Sequence, residues 1–258
     1  MTKLTIVKIG GNVIENEKDL RQFLVQFSKI QGDKILVHGG GKSATSFAKK
    51  LGLSPKLVDG RRITDKPNLD IAIMTYAGLL NKNIVAGLQQ NSCNAIGLTG
   101  ADANTIESEK RPVKTIDYGF VGDVKKVNSN NINALISAGF TPVFCALTHN
   151  GSGQLLNTNA DTIASEIAIA MSSDYEVELM YCFELQGVLT DINDLNSVIN
   201  QLNAKSYSEF VEQGVISDGM LPKLENCFNA LNKGVSNIKI GNTNMISSDS
   251  VRCTNIKL

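Results

Sequence analysis

Two short apolar runs near the start of the chain each end in glycine and pass straight into a helical pattern, and this constrains the fold more than any other feature. Residues 4–9 form a strand-like run stopped by Gly10-Gly11, and Ile35-Leu36-Val37 is stopped by His38-Gly39-Gly40-Gly41. A short apolar run bounded by turn residues suits a strand buried on both faces. Strands that alternate with helices suit a mostly parallel sheet covered on two sides.

The alternation continues to the end of the chain. Leu20, Phe23, Leu24 and Phe27 predict a helix over 17–30. Residues 43–51 read as a helix capped by Ser43, 56–64 as an extended pair about Asp59-Gly60, and 68–90 as one long helix. A strand at 94–98, a hairpin within 113–127, a helix at 130–138 and a strand at 141–147 follow. Then come a helix at 162–171, a strand at 176–183, helices near 208–213 and 221–233, and a last strand, Ile238-Lys239-Ile240, that closes the sheet. The expected fold is α/β, a three-layer αβα sandwich with a central, mostly parallel sheet. Gly, Ser and Asn concentrate at 151–157, which places a boundary between an N-terminal lobe, residues 1–152, and a C-terminal lobe, residues 153–258.

Composition matters for what it excludes. Lys plus Arg equals Asp plus Glu at 25 each, and Trp is absent. The chain therefore has no global field toward nucleic acid or an anionic membrane, and no aromatic platform for bases. No apolar stretch approaches the ~20 residues of a membrane helix, and the first residues read as a strand, not a signal peptide. The five cysteines are scattered and never spaced CxxC, as reduced thiols of a cytoplasmic protein would be. Anionic ligands must be met by a few placed cations.

Glycine lets backbone N–H groups approach phosphate or carboxylate oxygens, and a helix N-terminus adds partial positive charge. A Gly pair is equally explained by a tight turn, but three consecutive glycines each cost conformational entropy and favour a ligand. Gly41-Lys42-Ser43 matches the end of a phosphate-loop motif, yet the glycine that motif needs earlier is Leu36, inside the strand. The GxGxxG dinucleotide fingerprint is absent. Lys8, at the end of the first strand, either snorkels or points into the crevice at the strand ends. In Asn157-Thr158-Asn159-Ala160-Asp161, capping explains part of the polarity, and the excess suits a ligand. Lys223, in Asp218-Gly219-Met220-Leu221-Pro222-Lys223, opposes the dipole of the helix it opens, a mismatch unless an anion is near. Of Arg61-Arg62, at least one belongs to solvent. His38 and His149 stand alone, so no catalytic triad is supported.

Lys8-Ile9-Gly10-Gly11, His38-Gly39-Gly40-Gly41, Asp59-Gly60-Arg61-Arg62-Ile63-Thr64, Leu156 to Asp161, and Asp218 to Lys223 occur in the order and spacing of the amino-acid kinase family, and within it resemble the N-acetylglutamate kinases across essentially the whole chain. The resemblance implies a largely parallel eight-stranded sheet. It implies acylglutamate binding and a homodimer contact in the N-terminal lobe, and ATP binding in the C-terminal lobe. The implied reaction is ATP-dependent phosphorylation of the γ-carboxylate of N-acetyl-L-glutamate in arginine biosynthesis. Alternatives are another N-acylglutamate, such as N-succinyl-L-glutamate, or another substrate of the family. Catalytic roles fall on Lys8, Lys223 and Asp161, with Asp161 holding both lysines. Gly10, Gly11, Gly40 and Gly41 would donate N–H groups. Arg62 and Asn157 would bind the substrate α-carboxylate, supported by Asn159. Lys8, Gly10, Gly11, Glu184 and Lys223 would meet the nucleotide, and Mg²⁺ would ride on its phosphates with mostly water ligands.

The electrostatics agree with these roles: one unit charge pair at ~4 Å and an effective dielectric of ~20 amounts to ~4 kcal/mol, enough to offset the repulsion between two anions. Glu184 stands where relatives carry Asp, and residues 189–198 lack a usual Lys-Gly, which bears on the nucleotide contacts. The chain starts directly at the first strand, from which a dimer insensitive to arginine is expected. A non-catalytic sensor on the same fold is the competing class, and its mark would be loss of Lys8, Asp161 or Lys223.

Overall fold

The computed structural model describes residues 1–58, 61–216, 220–248 and 250–258, and only the backbone of Arg61. The turn expected at Asp59-Gly60 and the Asp218-Gly219 pair lie outside the described residues.

Strand β1 (Thr2–Ile9) buries Leu4, Ile6, Val7 and Ile9 completely, which is why it reads as a continuous apolar run. Helices α1 (Gly11–Glu15) and α2 (Glu17–Ser28) lead to β2 (Asp33–His38), and α3 (Gly41–Lys50) to the short antiparallel pair β3 (Leu57–Val58) and β4 (Arg61–Arg62). One unbroken helix follows, made of α4 (Lys66–Ala72), a π-helical stretch Ile73–Leu80, and α5 (Asn81–Gln90). The middle of the chain holds β5 (Ala95–Leu98), β6 (Ile106–Lys110), β7 (Gly122–Val127), α6 (Ser129–Ser137), β8 (Thr141–Cys145), β9 (Leu147–His149) and β10 (Leu155–Asn157). The last third holds α7 (Ala160–Met171), β11 (Tyr175–Phe183), β12 (Gln201–Leu202), α8 (Ala204–Glu212), α9 (Leu221–Asn232), β13 (Asn237–Asn242) and β14 (Thr254–Ile256).

The main sheet has eight strands in the order β12-β14-β13-β11-β1-β2-β8-β5, and only β13 and β14 pair antiparallel. A smaller sheet, β10-β9-β6-β7, lies beside it. One face of the main sheet, with Ile6, Ile35 and Leu179, is covered by Ile163, Ile167 and Leu224 from α7 and α9. The other, with Val7, Leu36 and Val143, is covered by Phe23, Phe27, Ile84 and Leu88 from α2 and α5. This is the expected three-layer sandwich.

The chain begins in the middle of the sheet: β2 flanks β1 on one side and β11 on the other. Strand order reverses there, and ligands of such sheets bind outside the carboxyl ends at the reversal. Lys8 is level with Val37 and Tyr181, and Ile9 with His38 and Cys182. Both glycine loops therefore leave the sheet side by side.

Several expectations need correction. The hairpin expected within 113–127 is β6–β7, and its first strand lies upstream, at Ile106–Lys110. Helix α3 starts at Gly41, two residues before Ser43, and has no side-chain cap. Strand β13 does not close the sheet, because β14 and β12 lie outside it. The helix Lys66–Gln90, at 25 residues, is long and apolar enough to cross a membrane, contrary to the expectation that no stretch approaches that length. Leu69, Ala72, Tyr76, Ile84 and Leu88 are buried in the protein's own core, which accounts for much of its apolarity.

Candidate active site

Three charged side chains from distant parts of the chain meet at the reversal point. Lys8 Nζ lies 2.7 Å from Asp161 Oδ1, and Lys223 Nζ lies 2.8 Å from Asp161 Oδ2. Their side chains are 13%, 20% and 15% exposed, withdrawn from bulk water yet reachable. Asp161 sits in the first turn of α7, where a carboxylate suits the helix dipole. The turn is set by Asn159, whose Oδ1 accepts from the Thr162 N–H at 3.0 Å. Tyr181 Oη donates to the Asp161 carbonyl at 3.1 Å, and its ring lies 5.0 Å from Lys223 Nζ. Burial pushes the Asp161 carboxyl up, but Lys8 and Lys223 outweigh it and hold the group well below the usual carboxylate range. The anion that Lys223 needs at the head of α9 is thus a carboxylate of the protein. Two lysines on one aspartate leave one net positive charge facing the cleft.

The glycine loops divide by what occupies the space around them. A Cβ on Gly40 would lie 2.6 Å from Leu80 Cδ1 and 2.7 Å from Tyr76 Cδ1, so glycine is required there by packing. At Gly39 and Gly41 the nearest atoms would be 3.8 and 3.9 Å away, ordinary contact. Packing against protein atoms does not require glycine at those two positions. The Gly10 N–H, expected to face a ligand, instead donates to the Cys182 carbonyl at 3.0 Å and ties the turn after β1 to β11. Gly11 lies against Lys42, so the loops adjoin.

Arg62 donates from Nη2 to the Gly41 carbonyl at 2.8 Å and to Thr45 Oγ1 at 2.5 Å. It stands at the uncapped N-terminus of α3, where an anion belongs and a cation is unfavourable alone. Asn157 Nδ2 donates to Thr64 Oγ1 at 3.0 Å, and Thr64 Oγ1 reaches the Arg62 carbonyl at 3.4 Å, so Asn157 and Arg62 share one wall. Gly39 approaches Ala160, which joins that wall to Asp161. Glu184 lies exposed in the loop after β11 and makes no hydrogen bond or ion pair with the described residues. The segment that departs from the family pattern forms a tight loop closed by a Leu189–Val198 bridge.

His38, which looked isolated in sequence, is fully buried. Its Nδ1 lies 2.7 Å from the Gly39 carbonyl and its Nε2 3.1 Å from Asn81 Nδ2. Neither Asn81 nor Tyr76 carries a motif; the one sequence hint was a histidine abutting three glycines. Among the described residues no three His, Cys, Asp or Glu side chains converge as a metal cage. All five cysteines are buried.

Residues 3–242 match the family model described as the amino acid kinase family. The chain is 57% identical over 241 residues to the acetylglutamate kinase of Cytophaga hutchinsonii, covering 93% of this chain and 91% of that protein. It is 56% identical to the acetylglutamate kinase of Phocaeicola vulgatus, covering 96% of each. Among solved structures, N-acetylglutamate synthase from Neisseria gonorrhoeae, in complex with coenzyme A and N-acetyl-glutamate, superposes with a TM-score of 0.82 at 20% identity. All of this chain and 59% of that one are covered. Carbamate kinase from Giardia lamblia superposes with a TM-score of 0.71 at 13% identity, covering 99% of this chain and 98% of that one. At such identities the likeness is one of fold.

Proposed function

We infer the reaction from one premise, that the chain belongs to the amino acid kinase family. It is a kinase that transfers the γ-phosphoryl group of ATP to the side-chain carboxylate of N-acetyl-L-glutamate, giving N-acetyl-L-glutamyl 5-phosphate for arginine biosynthesis. The observation that carries this reading is the Lys8–Asp161–Lys223 ion pairing at the strand ends, in a chain more than half identical to acetylglutamate kinases.

The nucleophile is a carboxylate already ionised at pH 7, so no general base is required. The barrier is repulsion between two anions, and catalysis is positioning plus charge stabilisation. Lys8 and Lys223 offset charge on the transferring group, and Asp161 fixes both ammonium groups. Gly11, Gly40 and Gly41 present N–H groups. Arg62 and Asn157 take the substrate α-carboxylate, and Asn159 acts through α7 by capping it. In this reading the lobe of residues 1–152 holds the acylglutamate and that of residues 153–258 holds ATP, with Glu184 on the nucleotide side. Both Asp161 oxygens face lysines, so Mg²⁺ would be held by the phosphates and water; it supplies charge neutralisation when bound.

The chain is proposed to act in the cytoplasm as a homodimer. The exposed Met74 and Leu79 of the long helix are the apolar surface that supports the latter. Light scattering would return twice the chain mass, and a monomer mass at micromolar concentration would remove the dimer. Hydroxylamine trapping of the acyl phosphate, with ATP and either N-acetyl- or N-succinyl-L-glutamate, tests the reaction and the acyl group together. Wild type should give hydroxamate with N-acetylglutamate, and Lys223→Met should lose at least about a hundredfold in turnover. Equal turnover in that variant would remove the lysine from the chemistry, and exclusive use of the succinyl substrate would change the acyl group.

A further inference from the structure

Three consecutive glycines are the least rigid backbone a chain can offer, yet donors that stabilise a developing charge must be held in place before it develops. Something outside the loop has to fix it. His38 Nδ1 lies 2.7 Å from the Gly39 carbonyl, which can only accept, so Nδ1 carries the proton. In a trans peptide the following N–H points opposite to the carbonyl, so fixing the Gly39 oxygen fixes the direction of the Gly40 N–H. The imidazole is itself held from behind. Asn81 Nδ2 lies 3.1 Å from His38 Nε2 and donates to the Val143 carbonyl at 3.0 Å, while Asn81 Oδ1 accepts from Lys82 Nζ at 3.2 Å. These contacts orient the amide unambiguously and leave Nε2 as an acceptor.

The long helix is π-helical over Ile73–Leu80. Its i→i+5 bonding widens the turn, so Tyr76 and Asn81 fall on one face. Tyr76 and Leu80 press on Gly40 while Asn81 meets His38. The loop is gripped from two sides by one helix.

We propose that His38 and Asn81 are positioning residues that aim the Gly40 N–H at the bound anion, with the π-helical stretch as their frame. This rests on the reading above that the glycine loop receives the reacting anion. Turnover by hydroxylamine trapping and hydrogen exchange at the Gly40 and Gly41 amides are compared in wild type, His38→Leu, His38→Asn and Asn81→Asp. His38→Leu should lower kcat about tenfold to a hundredfold, with KM for ATP within about twofold, and should speed exchange in the loop. His38→Asn, whose amide N–H reaches the Nδ1 position, should recover most of both. Asn81→Asp removes the N–H donor that Nε2 and the Val143 carbonyl share and sets a carboxylate oxygen against that carbonyl, so the ring loses its backing; it should shift both measurements in the direction of His38→Leu, and the double variant should be no worse.

Turnover within twofold of wild type in His38→Leu, or an equal loss in His38→Asn, would overturn the proposal. A wild type that forms no acyl phosphate would remove the reaction instead, and the exchange data would then decide the clamp: unchanged exchange in His38→Leu removes it. Should His38→Leu not fold, Asn81→Asp carries the same two measurements.

Discussion

At the scale of single residues, the three glycines after β2 are different in kind. Gly40 is there because Tyr76 and Leu80 occupy the place of its Cβ, whereas a Cβ at Gly39 or Gly41 would make only ordinary contacts, and the proposed function assigns that open space to the substrate. Gly40→Ala should therefore destabilise the fold by about 1–3 kcal/mol. Gly41→Ala should melt as wild type does and lose substrate affinity. Urea unfolding and KM for the acylglutamate separate the two; the same loss of stability in both variants would erase the distinction. Sequence alone could not make it, since three equal letters carry no sign of which one faces a tyrosine. The convergence of Lys8, Asp161 and Lys223 is legible only through the resemblance to the family; from the residues alone Lys8 is as easily a side chain that snorkels at the sheet edge. The Gly10 donor was misassigned because its N–H belongs to a sheet pairing with Cys182, far along the chain.

At the scale of elements, the strands buried on both faces were read correctly because a continuous apolar run leaves few alternatives. The π-helical stretch was not legible. Ile73 to Leu80 is apolar enough that an ordinary helical period fits it, and only the contacts of Tyr76 and Asn81 with the glycine loop reveal the wider turn. The partner of His38 was hidden likewise, by 43 residues of separation. Strand β5 contributes through a missing side chain. A Cβ on Gly97 would overlap Asn81 Oδ1 and approach Lys82 Nζ at 2.9 Å, so the strand is cleared for Asn81. Gly97→Ala should displace Asn81 and lower kcat at least about tenfold from a position that touches no substrate. Wild-type kcat in a folded Gly97→Ala would show that Asn81 can move without consequence.

At the scale of the molecule, two buried groups set two windows of acid sensitivity. Burial lowers His38 from 6.5 to about 4. The unfolded chain therefore takes the proton first, and stability falls as pH drops from about 6.5 toward 4, by about 3 kcal/mol in full. Asp161 works lower: burial is outweighed by Lys8 and Lys223, so its contribution is complete above the ordinary carboxylate range and is lost as pH falls below it. Urea midpoints at pH 7 and pH 4.5 should differ clearly in wild type and much less in His38→Asn. Parallel shifts in the two proteins would assign the upper window to another group.

Strand β1 is central in the finished sheet, and its two neighbours lie at very different distances along the chain. One flank of Thr2–Ile9 can pair as soon as Asp33–His38 emerges, but the other has no partner until Tyr175–Phe183 has been synthesised. For most of translation the nascent chain therefore carries an apolar half-sheet with an open hydrogen-bonding edge, the kind of surface that recruits other strands. Closing it brings together segments far apart in sequence, a slow step in sheet topologies. Premature termination before residue 175 would release that sticky edge permanently.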